Sequence, residues 1–518
     1  MRGRRRWLVA VLAAVALVAT GCGSDDDGGD GGDAAADVDP DGVLKLGLDL
    51  TAGSLVLDPA KITILGTQYQ ELIYGTLLTM SEQGEVRPGL AEEATILDPS
   101  TIRIELRPDL VFSDGAPLDA AAVKFSLERN LTSAKSGGLE VEFFQVASIT
   151  VDSETTLTVR LKTPVAGAWF RLLRYVETSP VSPKAVQAGI DLDTTPVGAG
   201  PFTFVSYTPG QSMVLKRNPT FVDADDVRLA GVEYVHVTAQ SLVNALRTGV
   251  IDYGGSLPPA QVKELGGASG LSSEIIPSDD TMLWGVMCKN RPPFDDLRVR
   301  QALNLAMDRD ALNDVVYEGL GAPMWGFFGP ESPFYDESLD GFFARDVAEA
   351  KSLLAAAGVP NLSFESFYFP GTIGQTALEI LQQQWAEAGI KVTLKPLTSA
   401  GDFFPNATGA PMVFFALDVS GLSKVTRLLV EGSVGNVCNW NDQTLVSLVR
   451  QMQGVEETSP AGVEIWKKIQ RQIFETAAMV YGLFGTQGRV LAERVGDAVF
   501  YPGRNAPTLD IANAYIEK

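Results

Sequence analysis

Residues 284–321, WGVMCKNRPPFDDLRVRQALNLAMDRDALNDVVYEGLG, are the stretch that decides the fold of this chain. It opens with an apolar run that predicts a strand and that stops at Pro292 and Pro293, where proline removes backbone donors and forces a turn. Apolar side chains then recur at helical spacing on a stripe formed by Val299, Ala302, Leu303 and Ala306. The pattern predicts a helix that buries this stripe and exposes the polar side chains beside it, such as Arg298 and Arg300.

A second, shorter helix is predicted directly after the first. Asp308 is placed to cap its N-terminus, and Gly319 can take the left-handed conformation that ends it. Its apolar face is predicted to consist of Leu312, Val315 and Val316.

The rest of the chain also contains both strand and helix patterns. Residues 102–106 and 157–161 alternate between apolar and polar side chains, which predicts half-buried strands. Residues 346–394 show the patterns of a helix, a strand, a second helix and a second strand, with Gly358 and Gly389 ending the two helices. This order predicts an α/β fold.

The N-terminal segment has the pattern of an exported lipoprotein. Arginines precede an apolar run at residues 7–19, and a short segment of small residues ends at Cys22, which predicts a signal peptide over residues 1–21 and a lipid on Cys22. The run is shorter than the roughly 20 residues that a membrane-spanning helix needs. Residues 22–42 are rich in Asp and Gly and contain no Lys or Arg, so we expect them to form a flexible tether.

Composition narrows the class of protein. The chain has 518 residues, 45% of them hydrophobic, which is enough for more than one core, so two lobes or more are expected. The formal net charge is −23 at pH 7, which argues against nucleic acid as a partner.

Few residues are available for catalysis or metal binding. His236 is the only histidine, and it lies in the alternating segment 232–238, so a histidine packed in a sheet is predicted rather than a catalytic base. The sequence lacks the nucleophile-elbow, zinc-protease and Walker motifs, and one histidine with two cysteines does not make the usual metal-ligand sets. We therefore predict no enzyme and no metal or cofactor site. Cys288 and Cys438 either form a disulfide or remain two buried thiols.

The stretch at 284–321 resembles the family 5 solute-binding proteins, the extracytoplasmic peptide- and nickel-type receptors of ABC importers. Its string PPFDDLRVRQALNLAM, residues 292–307, carries the resemblance. Further segments extend it over most of the chain: GEVRPGLAE (84–92), LRPDLVFSDG (106–115), PVGAGPF (196–202), LRTGVID (246–252) and AKSLLAAAG (350–358). The chain departs from the family pattern at Ser113, Ala122 and Cys288, where His, an acidic residue and Asn are common.

The resemblance implies a two-lobed fold like that of the periplasmic binding proteins, class II and of the three-domain peptide-receptor type, with the ligand cleft at the hinge. The implied limits are 43–66, 193–284 and 484–518 for domain I, 67–192 for domain II and 285–483 for domain III. Crossover strands near 280–288 and 476–486 would form the hinge.

The implied function is that of the substrate-binding component of an ABC importer, which captures an extracytoplasmic solute by lobe closure and delivers it to the membrane subunits of the permease. An oligopeptide is the expected solute. The open alternatives are a receptor of the same fold for a glycan or a chelated metal, a receptor that feeds a sensor, and an extracytoplasmic hydrolase. We expect a monomer in the periplasm or at the cell surface, anchored to the membrane by a lipid on Cys22.

The resemblance also implies ligand contacts on both sides of the cleft. On domain III they would come from the loop after a strand at 412–416, formed by Leu417, Asp418, Val419, Ser420 and Gly421. Asp418 would pair with the α-ammonium of a peptide, the alternative being that it caps a helix. On domain I, backbone groups of Thr51, Gly53 and Ser54 would bond an extended ligand.

Aromatic side chains are the remaining candidates. Trp325 and Trp440 would line the cleft, the alternative being that they pack in a core or an interface. Trp284 lies in an apolar strand and is predicted to be a core residue.

Overall fold

The computed structural model describes most of the chain after residue 37. The described residues are 38–48, 50, 55–61, 68–81, 85–133, 141–238, 241–330, 332–370, 372–397, 410–418, 421–426, 429, 436, 438, 440–501 and 508–518. The predicted signal peptide, Cys22 and residues 22–37 of the predicted tether lie outside this part of the chain.

The described strands, in chain order, are β1 (Val43–Leu48), β2 (Leu78–Met80), β3 (Val86–Pro88), β4 (Ala91–Asp98), β5 (Thr101–Leu106), β6 (Val146–Val151), β7 (Thr156–Leu161), β8 (Phe202–Thr208), β9 (Ser212–Arg217), β10 (Gly231–His236), β11 (Tyr253–Leu257), β12 (Leu271–Met287), β13 (Ala322–Pro323), β14 (Ser363–Tyr368), β15 (Lys391–Pro396), β16 (Met412–Asp418), β17 (Met479–Ala492), β18 (Val495–Gly496), β19 (Phe500–Tyr501), β20 (Thr508–Leu509) and β21 (Tyr515–Ile516).

The described α-helices are α1 (Gln68–Tyr74), α2 (Ala120–Ser133), α3 (Ala166–Arg171), α4 (Pro183–Gln187), α5 (Leu242–Arg247), α6 (Pro259–Leu265), α7 (Leu297–Leu305), α8 (Arg309–Val316), α9 (Val347–Ala356), α10 (Ile373–Glu387), α11 (Ser423–Thr426), α12 (Gln443–Gln453) and α13 (Pro460–Glu475).

One large sheet runs through the molecule. Its strand order is β15-β14-β16-β12-β17-β11-β1-β10-β9-β8, with β13 pairing on β17, so it has 11 strands. A separate four-stranded sheet has the order β4-β5-β7-β6. The α/β fold that the sequence predicts is therefore present.

Two long antiparallel strands, β12 and β17, connect the two halves of the large sheet. The first part of β12 pairs with residues 485–492 of β17, whereas its last part pairs with residues 479–484 and with β16. The register shifts between Ser278 and Met282, because three residues of β12 have no counterpart on β17. We call residues 279–281 the hinge bulge.

The hinge bulge separates two lobes. The first lobe contains β1, β8–β11 and the four-stranded sheet, and the second lobe contains β14–β16 and helices α7–α13. In each lobe the large sheet has buried apolar side chains on both faces. In the second lobe, for example, the neighbouring residues Phe414 and Phe415 belong to different cores. A further core lies against the four-stranded sheet.

The stretch at 284–321 forms the predicted strand and two helices. Asp296 and Asp308 accept hydrogen bonds from the backbone N–H groups of Arg298 at 2.9 Å and Ala311 at 3.0 Å, so each caps its helix. Gly319 has a positive φ of 76°. The predicted stripe on α7 is buried, and so is Trp284.

Two side chains in this stretch differ from expectation. Arg300 was predicted to be exposed but is buried, because its guanidinium donates to the carbonyl oxygens of Phe294 and Thr476, at 2.7 Å and 2.8 Å. Burial lowers the pKa of Arg300. Val315 was predicted to lie on the buried face of α8, but it is 62% exposed. The helix has only eight residues, and Leu312 is its buried apolar anchor.

The predicted helix-strand-helix-strand order at 346–394 is also present, as α9, β14, α10 and β15. Asp346 caps α9 by accepting from the N–H of Glu349 at 2.8 Å. Strands β14 and β15 are parallel neighbours, as a connection through a helix requires.

The end of the predicted tether belongs to the folded part. Val38 forms a β-bridge with Glu517, and the N–H of Asp39 donates to the carbonyl oxygen of Ile516 at 2.8 Å. Among the described residues, no helix is both long enough and apolar enough to cross a membrane.

Candidate functional site

The first two residues of the predicted ligand segment, Leu417 and Asp418, lie beside the hinge bulge. The strand expected at 412–416 continues to Asp418, so Leu417 and Asp418 extend a strand instead of forming a loop. In the register of β12 with β16, Asp418 lies opposite Thr281 of the hinge bulge. Helix α11 begins only at Ser423, so the backbone of Asp418 belongs to a strand rather than to a helix N-terminus.

Lys424, on α11, joins this segment to the hinge bulge. Its side chain is completely buried, and its Nζ donates to the carbonyl oxygens of Asp279 at 2.7 Å and Phe327 at 2.9 Å. The same Nζ lies 3.3 Å from an oxygen of Asp280 and 3.7 Å from one of Asp279. A buried ammonium is costly unless it is paired and hydrogen-bonded, and these contacts supply both.

The segment that follows β13 lies against the same cluster. The N–H of Gly329 donates to Oδ2 of Asp279 at 3.1 Å, and the ring of Phe328 lies 4.5 Å from the Nζ of Lys424. Three chain segments therefore meet at the hinge bulge: the bulge itself, α11 and residues 327–329.

A charged pair from both lobes lies next to Gly421. Nη1 of Arg171, on α3 of the first lobe, is 3.0 Å from Oε1 of Glu457 in the second lobe. A Cβ added to Gly421 would lie 3.3 Å from Glu457 and 3.4 Å from Arg171. The end of the predicted ligand segment thus borders a place where the lobes touch.

Trp325 packs on a buried arginine of its own lobe. It is half-buried, and its ring lies 4.7 Å from the guanidinium carbon of Arg309. That guanidinium donates to the carbonyl oxygens of Tyr481 and Phe343, and burial lowers the pKa of Arg309 to about 9.

Trp440 lies beyond the C-terminal end of β12. Its ring is 4.6 Å from the Nζ of Lys289, the second residue after this strand. Thr281, which lies opposite Asp418, and Met287, the last residue of β12, are six residues apart, which corresponds to about 20 Å. The structure therefore does not bring Trp440 together with Asp418.

The two cysteines left open by the sequence form a disulfide. Cys288 and Cys438 have a Cα–Cα distance of 5.1 Å and a sequence separation of 150 residues. Beside them, burial lowers the pKa of Lys289 to about 7, and the positive charge of Arg300 contributes in the same direction.

On the first-lobe side of the predicted site, the structure describes only residues next to the predicted ligand contacts. Thr51, Gly53 and Ser54 lie outside the described residues, as do Val419 and Ser420 of the second lobe. The N–H of Leu50 donates to Nδ1 of His236 at 3.0 Å. His236 ends β10, so it is the sheet histidine that the sequence predicts.

A cavity of about 400 Å³ lies elsewhere in the first lobe. Its lining comes from segments 68–80, 87–90, 174–175, 201–227 and 509–513, and it includes neither the hinge bulge nor Gly421. Among the described residues, no three His, Cys, Asp or Glu side chains lie close enough to hold a metal ion.

Five charged residues were not predicted from the sequence, three at the hinge bulge and two at the contact between the lobes: Asp279, Asp280, Lys424, Arg171 and Glu457. Two adjacent aspartates within an otherwise strand-like segment, IIPSDDTMLW, were a local signal that the strand is interrupted there. The other three residues show no local signal, because their partners are far away in sequence.

The comparisons with known proteins agree with this architecture. The sequence model of the bacterial extracellular solute-binding proteins, family 5 middle region, matches residues 85–420. The chain belongs to this family. The glutathione-binding protein GsiB of Salmonella paratyphi A is 29% identical over 362 residues, which are 68% of this chain and 69% of that protein.

Solved structures share the fold of this family 5 solute-binding protein. The ABC transporter substrate-binding protein CtaP of Listeria monocytogenes has a TM-score of 0.78 at 21% identity, covering 92% of this chain and 99% of its own. The oligopeptide-binding protein AppA of Bacillus subtilis, in complex with a nonapeptide, has a TM-score of 0.72 at 17% identity, covering 92% and 100%.

These findings confirm the predicted two-lobed fold and the family. This family 5 solute-binding protein is the substrate-binding component of an ABC importer, as the sequence predicted. The domain limits and the ligand contacts stay predictions.

Proposed function

We propose that this protein captures an oligopeptide outside the cytoplasm, closes its lobes on it and delivers it to the ABC permease. The observation that carries the peptide proposal is the similarity to glutathione-binding protein GsiB, since glutathione is itself a peptide.

Binding rather than turnover is the proposed role. The family consists of binding proteins, and Nδ1 of His236 accepts a hydrogen bond from the N–H of Leu50 within the first lobe. A peptide library incubated with the protein should remain intact by mass spectrometry. Cleavage that disappears in His236→Ala would establish the hydrolase alternative.

The solute class is tested with the mature chain carrying Cys22→Ser, so that no lipid is attached. Mass spectrometry of what copurifies, after release by denaturation, should find peptides, and calorimetry should detect binding of glutathione or of alanine peptides of two to five residues. Recovery of only glycans or metal chelates would overturn the peptide proposal and favour the alternative solutes.

Asp418 is proposed to pair with the α-ammonium of the peptide. Removing that partner from a desolvated ammonium should weaken binding by tenfold or more, which is about 1.4 kcal/mol or more. We expect Asp418→Ala to weaken binding of a copurifying peptide without changing the melting temperature. Asp225→Ala, at an exposed position of the first lobe, is the matched control.

The pairing itself is tested with N-acetylated peptides. If Asp418 holds the ammonium, acetylation and Asp418→Ala remove the same interaction, so the two losses should not add. Additive losses, or an unchanged affinity of Asp418→Ala, would reject the assignment.

The membrane location is proposed from the N-terminal segment. We propose that the signal peptide is cleaved, that Cys22 carries the lipid and that the protein acts as a monomer at the outer face of the membrane. In cell fractionation the wild-type protein should be found with membranes, and Cys22→Ser should be released. Equal distribution of the two would contradict the anchor.

A further inference from the structure

The two lobes touch at a place where the backbone approach leaves no room for a side chain. A Cβ added to Gly167, on α3 of the first lobe, would lie 1.8 Å from the carbonyl oxygen of Val455 in the second lobe. Real Cβ atoms do not approach other atoms so closely, so this contact requires glycine. The contact joins α3 to the segment between α12 and α13.

An ion pair between the two lobes lies next to this glycine contact. Arg171 lies four residues after Gly167, on the same face of α3, and Glu457 lies two residues after Val455. The two side chains are only 10% and 15% exposed and meet at 3.0 Å. Because both charges are largely removed from water, each depends on the other for its stability.

The contact lies away from the covalent connection between the lobes. The described connection consists of β12 and β17, and its irregular point is the hinge bulge. Residues 166–171 and 454–457 belong to neither strand. They can therefore separate if the lobes rotate about the hinge bulge, whereas the paired strands cannot.

We propose that Gly167, Arg171 and Glu457 form a closure latch, which holds the lobes together and thereby positions the predicted ligand segment that ends at Gly421. These three are positioning residues. A solute binds tightly only to the closed form, so its apparent dissociation constant rises as the closed fraction falls. The inference rests on the proposed function only in requiring that the lobes open and close.

The test measures the distance between the lobes without any solute. Spin labels are placed on Glu154→Cys in the first lobe and Ser352→Cys in the second, both at exposed positions, in the mature chain with Cys22→Ser. The native disulfide leaves no other thiol. Pulsed electron resonance then gives the populations of short and long inter-lobe distances.

We expect Arg171→Ala and Glu457→Ala each to reduce the ratio of closed to open molecules by about tenfold. The exchange of both charges, Arg171→Glu with Glu457→Arg, should restore the short distances at least in part. Gly167→Ala should also open the lobes, although alanine is the better helix former within α3. Arg247→Ala breaks an exposed ion pair with Glu264 inside the first lobe and is the control.

Distance distributions that are the same in wild type, in the three single variants and in the charge exchange would overturn the latch. If Arg171→Ala or Glu457→Ala does not fold, as circular dichroism would show, the charge exchange and Gly167→Ala still test the latch. Failure of the peptide proposal is distinguishable, since that would appear as absent peptide binding while the distances still respond to these substitutions.

Discussion

Replacing Lys424 by methionine should loosen the hinge end of the second lobe. Methionine is close to lysine in length and is apolar, so it fills the space with little strain while it removes the buried charge. The carbonyl oxygens of Asp279 and Phe327 then lose the ammonium of Lys424 as their hydrogen-bond donor. The carboxylates of Asp279 and Asp280 lose the neighbouring positive charge. The side chain of Lys424 therefore joins α11 to both other segments at the hinge bulge.

The expected magnitude follows from these contacts. A buried carbonyl that loses its partner costs about 1–3 kcal/mol, and a broken buried ion pair about 3–5 kcal/mol. The side chains of Asp279 and Asp280 are 27% and 21% exposed, so water compensates part of the loss. We therefore expect a loss of about 3 kcal/mol in the free energy of unfolding of the second lobe, which is a decrease of about 6–12 °C in its melting temperature for a unit of about 200 residues.

Calorimetry measures the melting temperature, and hydrogen exchange with mass spectrometry locates the change. Peptides that cover residues 279–281, 327–329 and 421–426 should lose protection, whereas the first lobe should not. Lys467→Met is the matched control, because Lys467 is 41% exposed and its ion pair with Glu464 at 3.8 Å should contribute less than about 0.5 kcal/mol. A melting temperature of Lys424→Met within 1 °C of the wild type, with unchanged exchange, would refute the reasoning.

Two further predictions concern Cys288 and Lys289, which follow the C-terminal end of β12. Replacing Cys288 and Cys438 by serine removes a cross-link between residues 150 apart, and the gain in chain entropy of the unfolded state should cost about 5 kcal/mol of stability. Calorimetry should therefore show a lower melting temperature than that of the wild type. An equal melting temperature would contradict this prediction. Burial lowers the pKa of Lys289 from 10.5 to about 7, so above pH 7 the unfolded state binds a proton that the folded state lacks, and stability should rise with pH toward 10.5. Below pH 7 the folded protein carries the full cost of burying a charged Lys289. Lys289→Met should therefore remove the rise in melting temperature between pH 7 and 9. The control Lys351→Met, at an exposed position, should keep this rise.

Interactions between residues close in sequence account for the helix caps and the buried helix face that were predicted correctly. The caps Asp296, Asp308 and Asp346 act on the N–H groups of residues two or three positions away, and the stripe on α7 follows from helical spacing. Such interactions depend on neighbours in sequence, so a pattern is enough to predict them. The prediction that Arg300 is exposed was wrong because its hydrogen-bond partner, the carbonyl oxygen of Thr476, is 176 residues away in sequence.

The candidate site was predictable only in part for the same reason. The segment ending at Gly421 was predicted from the family resemblance, and the structure places Asp418 of this segment opposite Thr281 of the hinge bulge. Trp440 was an equally plausible candidate, but it lies beside Lys289, beyond the C-terminal end of β12, whereas Asp418 lies opposite Thr281.

By itself, the sequence determined the α/β class, the family, the two helices after Pro293 and the charge that disfavours nucleic acid. Only the tertiary structure decided that Cys288 pairs with Cys438, that Lys424 is buried at the hinge bulge and that Arg171 meets Glu457, 286 residues away. The physical reason is that each of these contacts joins residues far apart in sequence, so it exists only once the chain has folded. Burial and the choice of a charged partner are properties of that assembled environment, not of any short run of residues.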